Sequence, residues 1–515
     1  MSVTHVRRWW ELPRPQPGDL VAGLSVAPVL IPQSLAFAQL AGLPAQHGLY
    51  AAMLPPVAAA LLASSPYLQT GPVAMTSLLT FGVLSVLAPP DTAAYVALAA
   101  LLALVVGVIR LGIGLARFGW VTYLMSQPVM SGFTSAAALL IVAAQLPALL
   151  GIPDTGSGLL ARAGFAVGHP AQWNPAAIGL SAATFLIVYG GRRVHALFPG
   201  VLIAAALGMV LGGLADYSGP LVGAIPEGLP PFSLSLPWRE LPVLLVPATV
   251  IALVGFAEPA AIARTYAEQD RRPWSPDREF VSQGAANIAA GISGGFPVGG
   301  SFSRTAITRL AGGRTRWSGA VAGLVTLAVL PFADVLATLP QAVIGAVIVI
   351  SVLRMVDLPN LARLSHYSLP QAGIGWLTFA LTLVLAPRVD EAVLVGVGLA
   401  VVVHIWRELR VNVRTTFADT TLRLAPQGVL FFGSAPALET ALVDALAQYP
   451  TARRLILDLE ALGRIDYTGA LALRSVMREA ERAGLVVEIC GVPPQAHRVL
   501  ERLLGDRVGH PVPVE

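Results

Sequence analysis

Apolar residues fill the first four fifths of the chain in long blocks, interrupted only by glycine, proline and arginine. Cutting at that punctuation predicts about fourteen segments. They lie near 19–38, 46–63, 71–87, 92–112, 119–149, 174–190, 197–214, 241–264, 277–292, 301–311, 317–332, 340–353, 371–386 and 389–407. Several are shorter than the ~20 residues a membrane span needs, notably the third and the tenth. From about Val413 the pattern changes to short strands alternating with amphipathic helices. Strands are predicted at Val429–Phe432, Arg454–Leu459 and Val486–Cys490, and helices at Pro436–Gln448, Ala470–Ala483 and Pro494–Leu504. That alternation implies a small sheet covered by helices.

The two short segments share one grammar. Gly291-Ile-Ser-Gly-Gly-Phe-Pro-Val-Gly-Gly-Ser-Phe-Ser-Arg304 is glycine-rich and ends in a polar turn where a helix can begin. Ser64-Ser-Pro-Tyr-Leu-Gln-Thr-Gly-Pro-Val-Ala-Met-Thr-Ser77 repeats the arrangement in the first half. At membrane depth, non-helical backbone survives only inside protein or beside a water-filled cavity. Two interrupted spans at corresponding places in two halves point to a transporter's binding site. Seven spans per half is an odd number, so the halves take opposite topologies and the two helix starts face each other. Each carries about half a positive charge, which suits an anion. The competing reading is that both are packing kinks.

Composition agrees with a polytopic membrane protein. Charged residues make up 12% of the chain, about half the share of a soluble protein. The pI near 9.4 would invite a nucleic-acid reading, but the arginines are scattered between apolar blocks. The single cysteine, Cys490, excludes an internal disulfide. The first apolar span lacks a cleavage site and opens a long series, so it is not read as a removable signal. With the N-terminus inside, the inside loops collect Arg110, Arg117, Arg192, Arg193, Arg264, Arg271, Arg272, Arg278, Arg309, Arg314, Arg316, Arg354 and Arg363. Only Arg162, Arg239 and Arg388 fall outside. This positive-inside bias and the even span count put both termini in the cytoplasm, with the chain multi-pass in the cell (inner) membrane. The expected division is 1–18 as a cytosolic segment, 19–410 as the transmembrane domain and 411–515 as the soluble domain.

Three motifs in order resemble the sulfate permease (SulP) family of bacterial and other anion transporters. Pro32-Gln-Ser-Leu-Ala-Phe-Ala-Gln-Leu-Ala-Gly-Leu-Pro-Ala-Gln-His-Gly-Leu-Tyr50 is similar to its first-span signature, and Gly71-Pro72-Val73-Ala74 to its third span. The tail is similar to a STAS domain, with Asp466-Tyr-Thr-Gly469 at the characteristic turn. The resemblance implies a fourteen-span, 7+7 inverted repeat of core and gate domains, followed by a cytosolic α/β STAS domain. It also implies an elevator-like motion of the core and a homodimer. One departure is Ser65-Pro66, where the family often has Ser-Arg before the third span.

On this basis the substrate-binding candidates are Gln33, Phe37, Val73, Ala74, Ser301, Phe302, Ser303 and Arg304. Gln33 is a buried amide in need of a partner, and Phe37 lies one turn on; the resemblance places both toward the substrate. Val73 and Ala74 offer backbone N–H groups. Ser301 and Ser303 offer hydroxyls at a helix start, or serve as plain N-caps. Arg304 is expected about one turn inside the tenth span, as an anion contact or a topology anchor. Glu258 is an intramembrane carboxylate, a usual mark of an ion path, and aligns with an acidic position that relatives use for coupling. Its alternative is a buried ion pair with Arg304. The following turn offers Ile262 rather than an oxygen ligand, which favours H⁺ over Na⁺. Thr468 matches a phosphorylated position in related STAS proteins, and its alternative is a helix N-cap.

The expected function is secondary active symport of a small anion of the sulfate, bicarbonate or C4-dicarboxylate class, without any further cofactor. The alternative is an anion channel or uncoupled exchanger of the same fold. A nucleobase permease shares the fold but lacks the tail. An enzyme is disfavoured, because no metal-ligand cluster, Walker loop or Ser/His/Asp arrangement is seen. Expected partners are the anion, the bilayer, a second copy and cytosolic regulators acting through the STAS domain, with no nucleic acid.

Overall fold

The computed structural model describes residues 12–152, 158–195, 197–214, 217–226, 228, 230, 232, 235–409 and 411–505. Arg7, Arg8 and most of segment 1–18 lie outside them, and so does the side chain of Arg192. The chain divides into two compact units, Met1–Val397 and Gly398–Glu515.

In the first unit a helix stands at each predicted segment. The first half holds α1 (Pro17–Leu40), α2 (Gln46–Leu62), α3 (Ala74–Leu84), α4 (Ala93–Leu115) and α5 (Gln127–Leu150). After these come α6 (Leu159–Gly168), α7 (Pro175–Phe185, prolonged to Val194) and α8 (Gly200–Leu214). The second half holds α9 (Leu241–Gln269), α10 (Pro276–Ile292), α11 (Phe302–Leu310) and α12 (Trp317–Val329). It ends with α13 (Gln341–Val352), α14 (Leu358–Tyr367), α15 (Leu369–Val384) and α16 (Val389–Glu408), the last of which runs across the division at Val397 into the second unit. Among the described residues, seven helical stretches are long and apolar enough to cross a membrane on their own; others are apolar but shorter.

Two helices were not expected, α6 and α14. Both are short and amphipathic, with few fully buried residues, so they form no apolar block. They sit between the fifth and sixth and between the twelfth and thirteenth spans, equivalent places in the two halves. The fifth predicted segment is also cut in two. Gly119–Leu124 is a 3-10 turn, and α5 begins only at Gln127, with Pro128 in its first turn, where proline's missing N–H costs nothing.

Packing sorts the helices into two bundles. α1 to α4 pack with α9 to α12, and α5, α7 and α8 pack with α13; α15 leans on α5. The first bundle is knit by close backbone approach. A Cβ at Gly48 would stand 1.9 Å from the Ser34 carbonyl oxygen, so α1 and α2 touch there without side chains between them. Buried polar ties secure its ends. Asp19 accepts from the Arg314 and Thr315 N–H groups, both at 2.8 Å, and from the Thr315 hydroxyl at 2.6 Å.

The second unit has a five-stranded sheet of β3 (Asn412–Ala418), β4 (Thr421–Leu430), β5 (Arg454–Asp458), β6 (Leu462–Ile465) and β7 (Val486–Cys490). The order is β3-β4-β5-β7, with β6 on the far end of β4. β3 and β4 form an antiparallel hairpin, and the other pairs are parallel. Helices Ala435–Gln448, Tyr467–Arg482 and Pro494–Leu504 close the core around Leu424, Leu438, Leu457 and Leu473. The predicted strand Val429–Phe432 is therefore only the end of a longer one. The hairpin was missed because its turn is Asp419-Thr420, both at positive φ. That primed geometry is normally signalled by Asn-Gly or Asp-Gly.

Candidate functional site

The two interrupted spans meet. Thr70–Gly71 and Gly299–Gly300 pair antiparallel, Thr70 with Gly300 and Gly71 with Gly299, as the strands β1 and β2. These four residues are buried, and the short ladder satisfies backbone groups that could not be left bare at this depth. Glycine is required here by space: a Cβ at Gly300 would come within 2.7 Å of Leu68, and Gly71 sits at φ +155°. A buried polar frame holds the crossing. Thr305 donates to the Ser301 carbonyl at 2.7 Å and accepts from the Gln69 N–H at 3.1 Å. Gln283 donates to the Thr70 hydroxyl at 2.8 Å, and Gln69 to Ser318 at 3.2 Å.

Immediately past the crossing, α3 and α11 begin. Their N-termini carry N–H groups without intrahelical partners. Ser301 is the N-cap of α11, accepting from the Arg304 N–H, and its hydroxyl also contacts that of Ser303 at 3.3 Å. The N-cap alternative therefore holds for Ser301. Val73, the N-cap residue of α3, offers no side-chain cap.

A cavity of about 710 Å³ opens at these helix starts. Gln33, Phe37, Val73, Ala74, Ser301, Phe302, Ser303 and Glu258 all line it. Seven of the eight binding candidates and the proposed coupling carboxylate thus share one space. The wall opposite comes from the second bundle: Gln127, Met130, Ser131, Thr134, Ser351, Val352, Arg354 and Met355. Toward its mouth stand Tyr123, Arg264 and Trp274, beyond which lie Arg271 and Arg272.

Arg304 is placed differently from the expectation. It is fully buried and does not line the cavity. Its Nη1 donates to the Gln33 side-chain oxygen at 3.2 Å, and its Nη2 to the Pro72 carbonyl at 2.9 Å. Fixing that oxygen turns the Gln33 amide nitrogen away, where it donates to Ser351 of the opposite bundle at 3.3 Å. Arg304 therefore acts from behind Gln33. The Glu258 carboxylate faces both the Arg304 guanidinium and the Phe302 N–H, one of the unpaired groups at the start of α11.

Three other arginines depart from their reading as simple inside anchors. Arg110 is not in a loop; it lies within α4, fully buried. Arg278 and Arg316 donate to the Leu62 and Ala63 carbonyls at 2.9 and 2.7 Å, satisfying carbonyls at the end of α2. Next to them, Glu279 accepts from the Ser65 N–H at 2.8 Å, from the Ser64 N–H at 3.2 Å and from Trp274 at 3.3 Å. The corner at Ser65-Pro66 is thus furnished with arginines from elsewhere in the chain.

In the second unit, Asp466 is the N-cap of the helix Tyr467–Arg482, accepting from the Gly469 N–H at 2.7 Å. This corrects the alternative role given to Thr468, which is one residue inside the helix and exposed. Sequence reasoning also missed the opposite wall, Ser351 and Arg354 above all. Both lie at the end of an apolar run and carry no motif.

Comparison with known proteins agrees with this geometry. Residues 17–374 match the sulfate permease family and residues 412–508 the STAS domain. This chain belongs to the sulfate permease family. It is 36% identical over 400 residues to a probable sulfate transporter of Mycobacterium tuberculosis, covering 77% of this chain and 70% of that one. It is 28% identical over 529 residues to the sodium-independent sulfate anion transporter of Bos taurus, covering 94% and 85% of the two chains. Its fold matches the murine solute carrier 26 member A9 anion transporter in an inward-facing state, with a TM-score of 0.87 at 21% identity, over 98% and 91% of the chains. It is a polytopic membrane transporter of anions with a STAS domain, and the family is one of transporters rather than enzymes.

Proposed function

We propose that the protein is a proton-coupled symporter of a small anion, bound between the starts of α3 and α11. The observation that carries this reading is the position of Glu258. Its carboxylate faces the Phe302 N–H at the start of α11, inside the cavity. An anionic substrate seeks the same unpaired N–H groups and the same positive dipole end. Glu258 ionised is thus an internal competitor of the substrate, and Glu258 protonated yields the helix start to it. Proton and anion then bind together and leave together. Na⁺ would need several oxygen ligands, and the next turn of α9 offers Ile262 and Ala261.

The motion in this reading carries the first bundle against the second, elevator fashion, and breaks the Gln33–Ser351 contact on the way. The mouth with Arg264, Arg271 and Arg272 faces the cytoplasm of a bacterial inner membrane, with both termini on that side and the transporter dimeric. The STAS domain is regulatory, and Thr468 is exposed to a modifying enzyme. The substrate is a compact oxyanion, for which the sulfate transporters among the relatives give the first candidate.

The test is uptake of labelled sulfate, bicarbonate, chloride and succinate into proteoliposomes, with and without imposed H⁺ and Na⁺ gradients. Uptake of at least one anion driven by an inward proton gradient is expected. Glu258→Gln should abolish that drive while leaving binding and exchange. Undiminished gradient-driven uptake by Glu258→Gln would end the coupling proposal and favour an uncoupled exchanger. Uptake that follows Na⁺ and ignores pH would replace the ion.

A further inference from the structure

Arg110 stands in the C-terminal third of α4 with none of its side chain exposed. Nε donates to the Ala252 carbonyl at 3.0 Å, Nη2 to the Ile251 carbonyl at 3.1 Å and Nη1 to the Val298 carbonyl at 2.9 Å. All three partners are neutral, and among the described residues no carboxylate pairs with it. A buried cation is costly unless a carboxylate balances it, so one kept without a counter-charge calls for an account.

Its place supplies one. Val298 precedes the strand Gly299–Gly300, and its peptide groups are also gripped by Asn287, which accepts from the N–H at 2.9 Å and donates to the carbonyl at 3.1 Å. A Cβ at Gly255 would stand 2.8 Å from Arg110 Nη2 and 3.0 Å from the Thr76 methyl. The guanidinium therefore touches α9 one turn before Glu258, the strand that leads into α11, and the vicinity of the first turn of α3. Of these, α9 and α3 line the cavity directly, and the strand leads into α11, which lines it at Phe302 and Ser303.

Among the buried charges behind the helix starts, Arg304 is opposed by an ionised Glu258, whereas Arg110 has no such opponent. The cations that line the cavity itself are Arg354 and Arg264, the latter paired with Glu268.

We infer that Arg110 is a positioning residue that also gives the anion site a fixed, buried positive charge with no carboxylate beside it, in addition to the Arg354 and Arg264 guanidiniums that line the cavity itself, so that the helix starts keep favouring anions while Glu258 is ionised. The inference rests on the cavity being the anion site. Its electrostatic signature follows from Coulomb's law, which is linear in the ligand's charge: removing one fixed charge should weaken a dianion by about the square of the factor by which it weakens a monoanion. A purely mechanical role would weaken both alike.

The experiment measures sulfate and chloride affinity of the purified full-length protein by titration calorimetry. It compares wild type, Arg110→Lys, Arg110→Gln and the double variant Arg110→Gln/Glu258→Gln. Arg110→Lys should stay within about threefold of wild type, since it keeps the charge and loses part of the carbonyl clamp. Arg110→Gln should lose affinity for chloride and, as a fold-change, about the square of that loss for sulfate. The double variant removes the opposing carboxylate charge as well, and should bind more tightly than Arg110→Gln. Equal losses in Arg110→Lys and Arg110→Gln, or a double variant no better than Arg110→Gln, would overturn the inference. Should Arg110→Gln not fold, Arg110→Lys decides: tenfold loss overturns the inference, and retained affinity supports it. A wild type that binds neither anion at any concentration overturns the anion-site reading itself, which is a separate outcome.

Discussion

Arg304→Met should damage the fold as well as transport, and Glu258→Gln should repair much of the fold. The side chain of Arg304 is buried, with two hydrogen bonds to Gln33 and Pro72. Hydrogen bonds from a charged group contribute about 1.5–3 kcal/mol each. Glu258 is attracted by the same guanidinium, and at an effective dielectric near 20 such an attraction is worth at most about 4 kcal/mol. Removing Arg304 leaves Glu258 a buried carboxylate without its cation, a situation that costs about 3–5 kcal/mol. Removing both charges leaves only the lost hydrogen bonds. The assay is a double-mutant cycle on thermal unfolding in detergent, with sulfate binding followed in parallel. The expected order is wild type above the double variant, and the double variant clearly above Arg304→Met. Additive shifts would show that the two charges do not sense each other. A fully stable Arg304→Met with wild-type affinity would return Arg304 to the status of a topology anchor.

Other sites give independent checks. Gly48→Ala places a methyl 1.9 Å from the Ser34 carbonyl oxygen, so α1 and α2 must separate; a loss of about 1–3 kcal/mol or more and a sharply lower yield of folded protein are expected. In the soluble unit, Asp466→Ala removes the N-cap bond to Gly469 and should cost about 1 kcal/mol in urea unfolding of the isolated fragment 411–515, while Asp466→Asn should cost less. At the end of α9, the Tyr67 hydroxyl and the Arg309 guanidinium hold the Asp270 carboxyl below the usual aspartate range. A depressed folded-state pKa stabilises above the unfolded value, and that stability is lost as pH falls through the folded one. The melting difference between wild type and Asp270→Asn should therefore be present at neutral pH, begin to shrink as pH falls through about 4, and vanish only below the depressed folded-state value; a difference unchanged by acid would show that charge plays no part there.

The membrane unit was legible in the sequence because all its helices but α6 and α14 are separate apolar blocks, and the blocks set the order of the spans. The crossing was legible too, since glycine runs and short spans have few other uses at membrane depth. What escaped has a common cause. Arg110, Arg278 and Arg316 were read by their positions along the chain, as loop charges, whereas each is spent on carbonyls of a distant helix. Arg304 was read as a direct contact, but the chain cannot reveal that Gln33 stands between it and the cavity. Ser351 arrives from the other half, 318 residues away from its partner, and no local signal announces such a meeting. The β3–β4 hairpin was lost to a single unorthodox turn, Asp419-Thr420.

These misplacements change how selectivity must be argued. A guanidinium at the helix starts would have marked the site for one geometry of anion by direct, forked hydrogen bonds. With Arg304 and Arg110 both behind the wall, and Arg354 and Arg264 on the opposite wall and at the mouth, the groups presented at the helix starts are backbone N–H, two serine hydroxyls and the Gln33 amide. Such donors are neutral and tolerant of shape, and the buried charges act at a distance, on the sign and number of the ligand's charges rather than on its outline. Discrimination among anions of equal charge then falls to the walls, where Phe37 and Phe302 on one side and Ser351 and Val352 on the other set the room available. Substitutions there should move substrate preference without touching coupling, whereas substitutions at Arg110, Glu258 and Arg304 should move coupling and charge preference together.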